Sequence, residues 1–220
     1  MGLLTKYVFI CYKTIKQLTM YNFIFILIAC AFFFWGNLSA QTTSWMVEAQ
    51  VVVSPEEEKP VYAQPWVWGS KKFKDSPWGI GCFASQREYW GEILVGPSYT
   101  FKPDGKVSLE IGTQIGIETY DPLPYCGLVY AFCKIKGKEG GLHDFTYLLA
   151  AEYAGSNPWT LVLANYNITR RFGIGVIAQY EAVIGPRLQI NIPSGCIWMA
   201  GGRDVDNYAP GGAFGLRFFM

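Results

Sequence analysis

From Lys106 to Glu118 the chain alternates without a break. Val107, Leu109, Ile111, Thr113, Ile115 and Ile117 fall on one face, and Lys106, Ser108, Glu110, Gly112, Gln114, Gly116 and Glu118 on the other. A period of two is the signature of a β-strand with two different faces. The same pattern recurs over 91–101, 143–154 and 172–181, where Ile93, Val95, Tyr99, Phe145, Tyr147, Leu149, Ile174 and Val176 share the apolar faces. Segments 125–136, 158–168 and 196–203 are apolar on both faces, so alternation leaves their facing open. Turn signals rich in Gly, Pro, Asn and Asp separate these runs, among them Pro103-Asp104-Gly105, Asp121-Pro122, Gly155-Ser156-Asn157-Pro158, Gly185-Pro186 and Pro193-Ser194-Gly195. The pattern predicts twelve strands, at 45–53, 61–69, 78–87, 91–101, 106–119, 125–136, 143–154, 158–168, 172–181, 186–192, 196–203 and 211–219. If the first two lie outside, Pro65 interrupting the second, ten remain.

The strands decide the fold class once their faces are assigned. The polar faces carry mostly Gly, Ala, Ser, Thr and Gln with an occasional carboxylate, whereas the outside of a soluble barrel would carry many Lys and Glu. Aromatic residues gather at strand ends. Tyr99, Phe101, Tyr166, Phe172 and Phe218 fall near one set of turns, and Tyr120, Tyr125, Tyr153, Trp159, Tyr180 and Tyr208 near the other. Two aromatic girdles around an aliphatic band suit a bilayer with two interfaces. The expectation is an all-β, antiparallel up-and-down transmembrane barrel, with apolar faces toward lipid. A soluble exported ligand-binding barrel would turn the same faces inward.

Residues 1–40 follow a different pattern. Lys6, Lys13 and Lys16 precede the apolar run 21–35, and Leu38-Ser39-Ala40 precedes Gln41. This is the form of a cleaved secretory signal ending at Ala40, in preference to a retained anchor or to lipoprotein processing at Cys30. The barrel domain is then 41–220. Its removal of three lysines and no acidic residue turns the net charge from +1 to −2.

Composition narrows the chemistry. The chain is 51% hydrophobic and 17% aromatic, with 24 glycines and no basic excess, which excludes a nucleic-acid partner. Cys82, Cys126, Cys133 and Cys196 show no metal-ligand spacing and leave the choice of disulfide pairing open, so no metal and no cofactor is expected. His143-Asp144 is the one pairing that a membrane-embedded hydrolase could use, but neighbours on a strand point to opposite faces. No catalytic residue is assigned. The polar faces instead collect Arg87, Glu92, Glu110, Gln114, Glu118, Glu152, Gln179, Glu181 and Arg217, the candidates to line the barrel interior. They would either border a narrow permeation path or pair and fill a closed barrel.

The chain ends in "GGAFGLRFFM", with Phe214, Leu216, Phe218 and Met220 on one face. Together with the leader and the strand rhythm, this last strand resembles that of bacterial outer-membrane β-barrel proteins, in which it serves as the assembly signal. The resemblance implies export to the outer membrane, insertion by the barrel-assembly machinery, and outer-membrane lipid as the surrounding partner. Met220 departs from the terminal aromatic usual in that class.

Overall fold

The computed structural model describes residues 40–53, 61–86, 91–103, 105–118, 125–137, 142–154, 159–180, 182–204 and 209–219. These form twelve strands: β1 (Ala40–Val53), β2 (Val61–Phe73), β3 (Trp78–Gln86), β4 (Gly91–Phe101), β5 (Val107–Glu118), β6 (Tyr125–Ile135), β7 (Phe145–Ala154), β8 (Thr160–Asn167), β9 (Phe172–Gln179), β10 (Val183–Ile192), β11 (Gly195–Arg203) and β12 (Pro210–Phe219). Every strand pairs antiparallel with its sequence neighbours, and β12 closes on β1 from Met46↔Phe219 to Val53↔Gly212. The first two strands are full members of the wall, so the ten-strand alternative falls. Residues 1–39 of the expected leader 1–40 lie outside the described residues, as do Arg87, Glu181 and Met220.

Pairing is staggered. Thr42, near the start of β1, pairs with Lys72, and the chain of partners runs through Gly79, Ser98, Gly112, Tyr130, Ala150 and Leu161 to Gln179 and Val183. That path begins at the end of the barrel holding both chain termini, here the terminal end, and finishes at the opposite, loop end. Such stagger requires strands tilted by about 35–45°. A ten-residue strand rising about 3.4 Å per residue then spans about 25 Å along the axis, the height of a bilayer's apolar band.

The alternating apolar set faces out. Ile111, Ile115 and Ile117 of β5 are exposed, Ile115 by 67%, while Glu110, Gln114 and Glu118 between them are buried. Val95, Leu149, Ile174, Val176, Leu188, Ile190, Met199, Phe214 and Leu216 extend the apolar surface around the wall. The strands that are apolar on both faces are also resolved: Leu128 and Tyr130 point inward and Val129 outward, and Trp198 points inward between Ile197 and Met199.

Three sequence expectations need correction. Gly185-Pro186 is not a turn but lies within β10, where Pro186 opposes Val176. On the β11 side the pairing passes from Ile184 to Arg187 and leaves both residues out, since proline has no N–H to donate. Segment 61–69 extends to Phe73 because Ser70, Lys71 and Lys72 continue the ladders to both β1 and β3. Trp159 belongs to no outer girdle: its ring packs on Phe83, 5.4 Å between centroids, and its indole N–H donates to Glu92. The girdle at the terminal end is present in Phe101, Tyr166, Phe172 and Phe218, joined by Trp78 stacked edge-on against Tyr99 at 5.0 Å. At the loop end Tyr153 is exposed, whereas Tyr120 and Tyr208 lie outside the described residues.

Candidate functional site

The interior is where the sequence concentrates its chemistry, and inward glycines set how it packs. Tyr130 projects from β6 over Gly112, its register partner, and over Gly81. A Cβ on either glycine would meet the Tyr130 side chain below normal contact distance. Trp198 uses Gly215 of β12 in the same way. Absent side chains on one strand therefore admit large ones from the next.

At the terminal end the interior opens into a cavity of about 320 Å³. It is bordered by Lys72, Lys102, Lys106, Lys134 and Lys136, with Glu110 at its inner edge. Glu110 is fully engaged: Tyr130 donates to it at 3.0 Å, Thr100 at 3.4 Å, and the Lys72 ammonium lies 3.6 Å away.

At mid-depth the interior is filled. Trp68 meets Tyr130 edge-on at 4.6 Å between ring centroids and Phe83 at 5.4 Å. The Arg217 guanidinium pairs with Glu48 across the β1–β12 seam and lies 5.3 Å from the Trp66 ring centre. Arg187 sits over Trp198 at 4.8 Å and donates to Gln189 at 2.7 Å. Gln189 in turn donates to Asn191 at 2.5 Å, and Asn191 to Asn167 at 3.2 Å. This amide ladder follows the inner faces of β10 and β8.

Toward the loop end, contacts cross the lumen. Gln179 of β9 and Gln50 of β1 both donate to the Gln64 carbonyl of β2, at 3.2 and 3.1 Å. β2 and β9 are five strands apart around the wall, as are Phe83 on β3 and Trp159 at the start of β8. Nearby, Glu92 and Glu118 face each other in register on β4 and β5, with Glu152 on β7 and Cys126 on β6 beside them.

Of the sequence candidates, Glu92, Glu110, Gln114, Glu118, Glu152, Gln179 and Arg217 all have buried side chains inside the wall. They do not form one ring. Glu110 belongs to the terminal-end network, Arg217 to the ion pair with Glu48, and the remaining carboxylates to the loop end. Sequence reasoning missed Glu48 and Arg187. Arg187 was hidden by the false turn at Gly185-Pro186, although the alternation of Leu188, Ile190 and Ile192 on the outer face already implied it. Glu48 lies in a run, Met46 to Val52, whose inner face mixes apolar and polar residues.

His143 lies in the β6–β7 turn with φ 63°. Its Nδ1 is 2.6 Å from the Tyr166 hydroxyl. Asp144 faces elsewhere, accepting the Gly137 N–H at 2.9 Å and pairing with Lys134 at 3.6 Å. The two do not act on a common atom.

No protein-family model matches the chain, and no curated protein sequence is similar to it. Solved structures do resemble it. A KdgM porin aligns over 79% of this chain and 98% of its own, at 10% identity and TM-score 0.51. A KdgM porin in complex with disordered oligogalacturonate aligns over 80% and 98%, at 11% identity and TM-score 0.51. A NanC porin aligns over 80% and 98%, at 8% identity and TM-score 0.46. At these identities the likeness to the two KdgM structures is one of fold alone: this chain is a closed, antiparallel twelve-stranded barrel.

Proposed function

We propose that this protein is an integral barrel of the bacterial outer membrane with a sealed interior, a structural or surface component that does not act as an open diffusion pore. The membrane assignment rests on the continuous apolar exterior, which a water-soluble monomer would not leave exposed on this scale. It also rests on closure, which leaves no strand edge unpaired in lipid. Export proceeds by cleavage after Ala40. β1 begins at that residue, so removing the leader takes only the first residue of the strand and leaves residues 41–53 in the wall. Entry by way of the periplasm leaves both termini there, and the loop end faces outward. The C-terminal strand, with Phe214, Leu216 and Phe218 on its lipid face, is the element that the assembly machinery would engage.

The observation that carries the sealed reading is the set of contacts spanning the lumen, Gln64 with Gln179 and Phe83 with Trp159. Side chains bordering a water-filled channel are reached by water, whereas Gln50, Glu92, Gln114, Arg187 and Trp198 are buried to within 2% of completely. A narrow channel is the second reading, favoured by the porin fold and by the lysine-lined cavity, which would draw anions such as acidic oligosaccharides. In that case the cavity is an entrance, and the cross-lumen contacts are a gate. Planar-bilayer recording of purified protein separates the two. The sealed reading expects no steps above baseline at 1 M KCl. Regular single-channel steps in the wild-type protein would replace it with the channel.

A further inference from the structure

Glu92, Cys126 and Glu152 reach the same point from three strands. One ligand atom from each lies within 4.8 Å of the other two. Glu118, the register partner of Glu92, adds a further carboxylate on the same inner surface. All four side chains are buried. What separates Glu92 and Glu152 from the other interior carboxylates is their partners. Glu48 has Arg217, and Glu110 has Lys72, Tyr130 and Thr100. Glu92 receives the Trp159 indole N–H at 3.0 Å on one oxygen and nothing on the other, and Glu152, 6% exposed, has no hydrogen-bond partner on either oxygen. Buried carboxylates without partners are costly, and like charges opposed in register repel. A cation centred among them removes both penalties.

We propose that Glu92, Cys126 and Glu152 bind one divalent metal ion of borderline softness, of which zinc is the representative. The donor set selects the class. Calcium and magnesium require six or more oxygens, or an octahedral shell largely of oxygen, and gain nothing from sulfur. Two carboxylates and a thiolate match the mixed ligands and low coordination number of zinc, with Glu118 or a water in the fourth position. Binding displaces the Cys126 thiol proton to solvent, as metal–thiolate formation requires. Sequence spacing contains no metal motif because no two ligands share a strand; antiparallel register on β4, β6 and β7 assembles them. Trp159 closes over the group from β8 and orients Glu92 through its N–H, the role that a hydrogen-bonded neighbour plays at metal centres. The site is independent of whether the barrel conducts.

The test uses the full barrel in detergent, stripped with a chelator and reloaded with zinc in excess magnesium and calcium. Cobalt(II) serves as the spectroscopic probe, since a thiolate ligand gives it a near-ultraviolet charge-transfer band. The expected result is one zinc per chain after desalting and a thiolate band with cobalt. Cys126→Ser should abolish the band, and both it and Glu152→Gln should weaken zinc binding more than about tenfold. Cys82→Ser, on the outer face of β3, should change neither. Heat-modifiable electrophoretic mobility verifies that each variant is folded. Should Cys126→Ser not fold, alkylation of wild-type protein decides, because bound zinc must shield Cys126. No stoichiometric zinc in the folded wild type, a cobalt spectrum without a thiolate band, a band that survives Cys126→Ser, or alkylation of Cys126 unaffected by zinc would each overturn the site.

Discussion

Arg217 and Glu48 show how a charge is kept inside this barrel. Both are buried, they are register partners on the strands that close the wall, and the guanidinium also lies against the Trp66 face. Removing one member leaves the other buried and uncompensated, a loss of about 3–5 kcal/mol. Glu48→Gln should therefore lower the urea midpoint of the folded barrel strongly. Glu48→Met combined with Arg217→Met should recover much of that loss, because replacing a buried pair by apolar groups is often close to neutral. A double variant as unstable as the single one would show that the pair fixes the register of the β1–β12 seam and does more than neutralise charge. Arg187 forms no ion pair among the described residues. It is held by the Trp198 ring, by Gln189 and by Asn165, three neutral groups that help to solvate the guanidinium.

A strand of this barrel reads differently on its two faces, and β5 makes the difference measurable. Ile111 faces out near mid-strand, so Ile111→Arg should cost about 2–4 kcal/mol if that face meets the middle of a bilayer. Its neighbour Gly112 faces in, and the alternation alone suggests that a small polar substituent such as Ser would be tolerated there. That holds only where the interior is loosely packed, and here it is not: a Cβ at Gly112 would run into the Tyr130 ring. Gly112→Val should thus impair folding in detergent at least as severely as Ile111→Arg, and adding Tyr130→Ala should relieve it. Refolding yield read from the heat-modifiable band measures both. The contrast also marks what the sequence can express. Strand number, most boundaries and the outward set of β5 follow from period two and turn residues, which are local. The glycine–tyrosine fit, the inward turn of Trp159 and the join between Gln64 and Gln179 depend on residues brought together by stagger around the wall, which no single strand encodes. Gly185-Pro186 misled for the opposite reason: a strong local turn signal was overridden by the unbroken ladder between β10 and β9.

Across the whole molecule, charge is distributed by depth. Glu48 and Arg217 cancel at the seam, and Glu110 is neutralised by Lys72 beside four more lysines at the terminal end. Glu92, Glu118 and Glu152 gather near the loop end, where Glu92 and Glu152 pair with no cation among the described residues, and Trp159 and the Gln64 bridge lie beside them. Five interior Glu candidates against two Arg in the sequence suggest a negative surplus, and three of the five, Glu92, Glu118 and Glu152, gather toward the loop end. The consequence appears only if the lumen is opened. Trp159→Ala with Gln64→Ala removes a ring and a bridging amide that span the interior, and Trp68→Ala clears the mid-depth contact to Tyr130 and Phe83. This triple variant should conduct where the wild type does not. Its reversal potential across a KCl gradient should show preference for cations, since carboxylates in a low-dielectric passage raise the local cation concentration. The preference should shrink at 1 M salt, where screening falls to about 3 Å. Opposite charge at the two ends should also make the current rectify, with the sense reversed when the protein is inserted from the other side. Glu118→Gln, which leaves the three zinc ligands Glu92, Cys126 and Glu152 in place, should reduce cation preference without restoring closure. Added zinc should reduce it as well. An opened variant that preferred anions would mean that the terminal-end lysines govern entry, and the lysine-lined cavity would then be the selective part of the barrel.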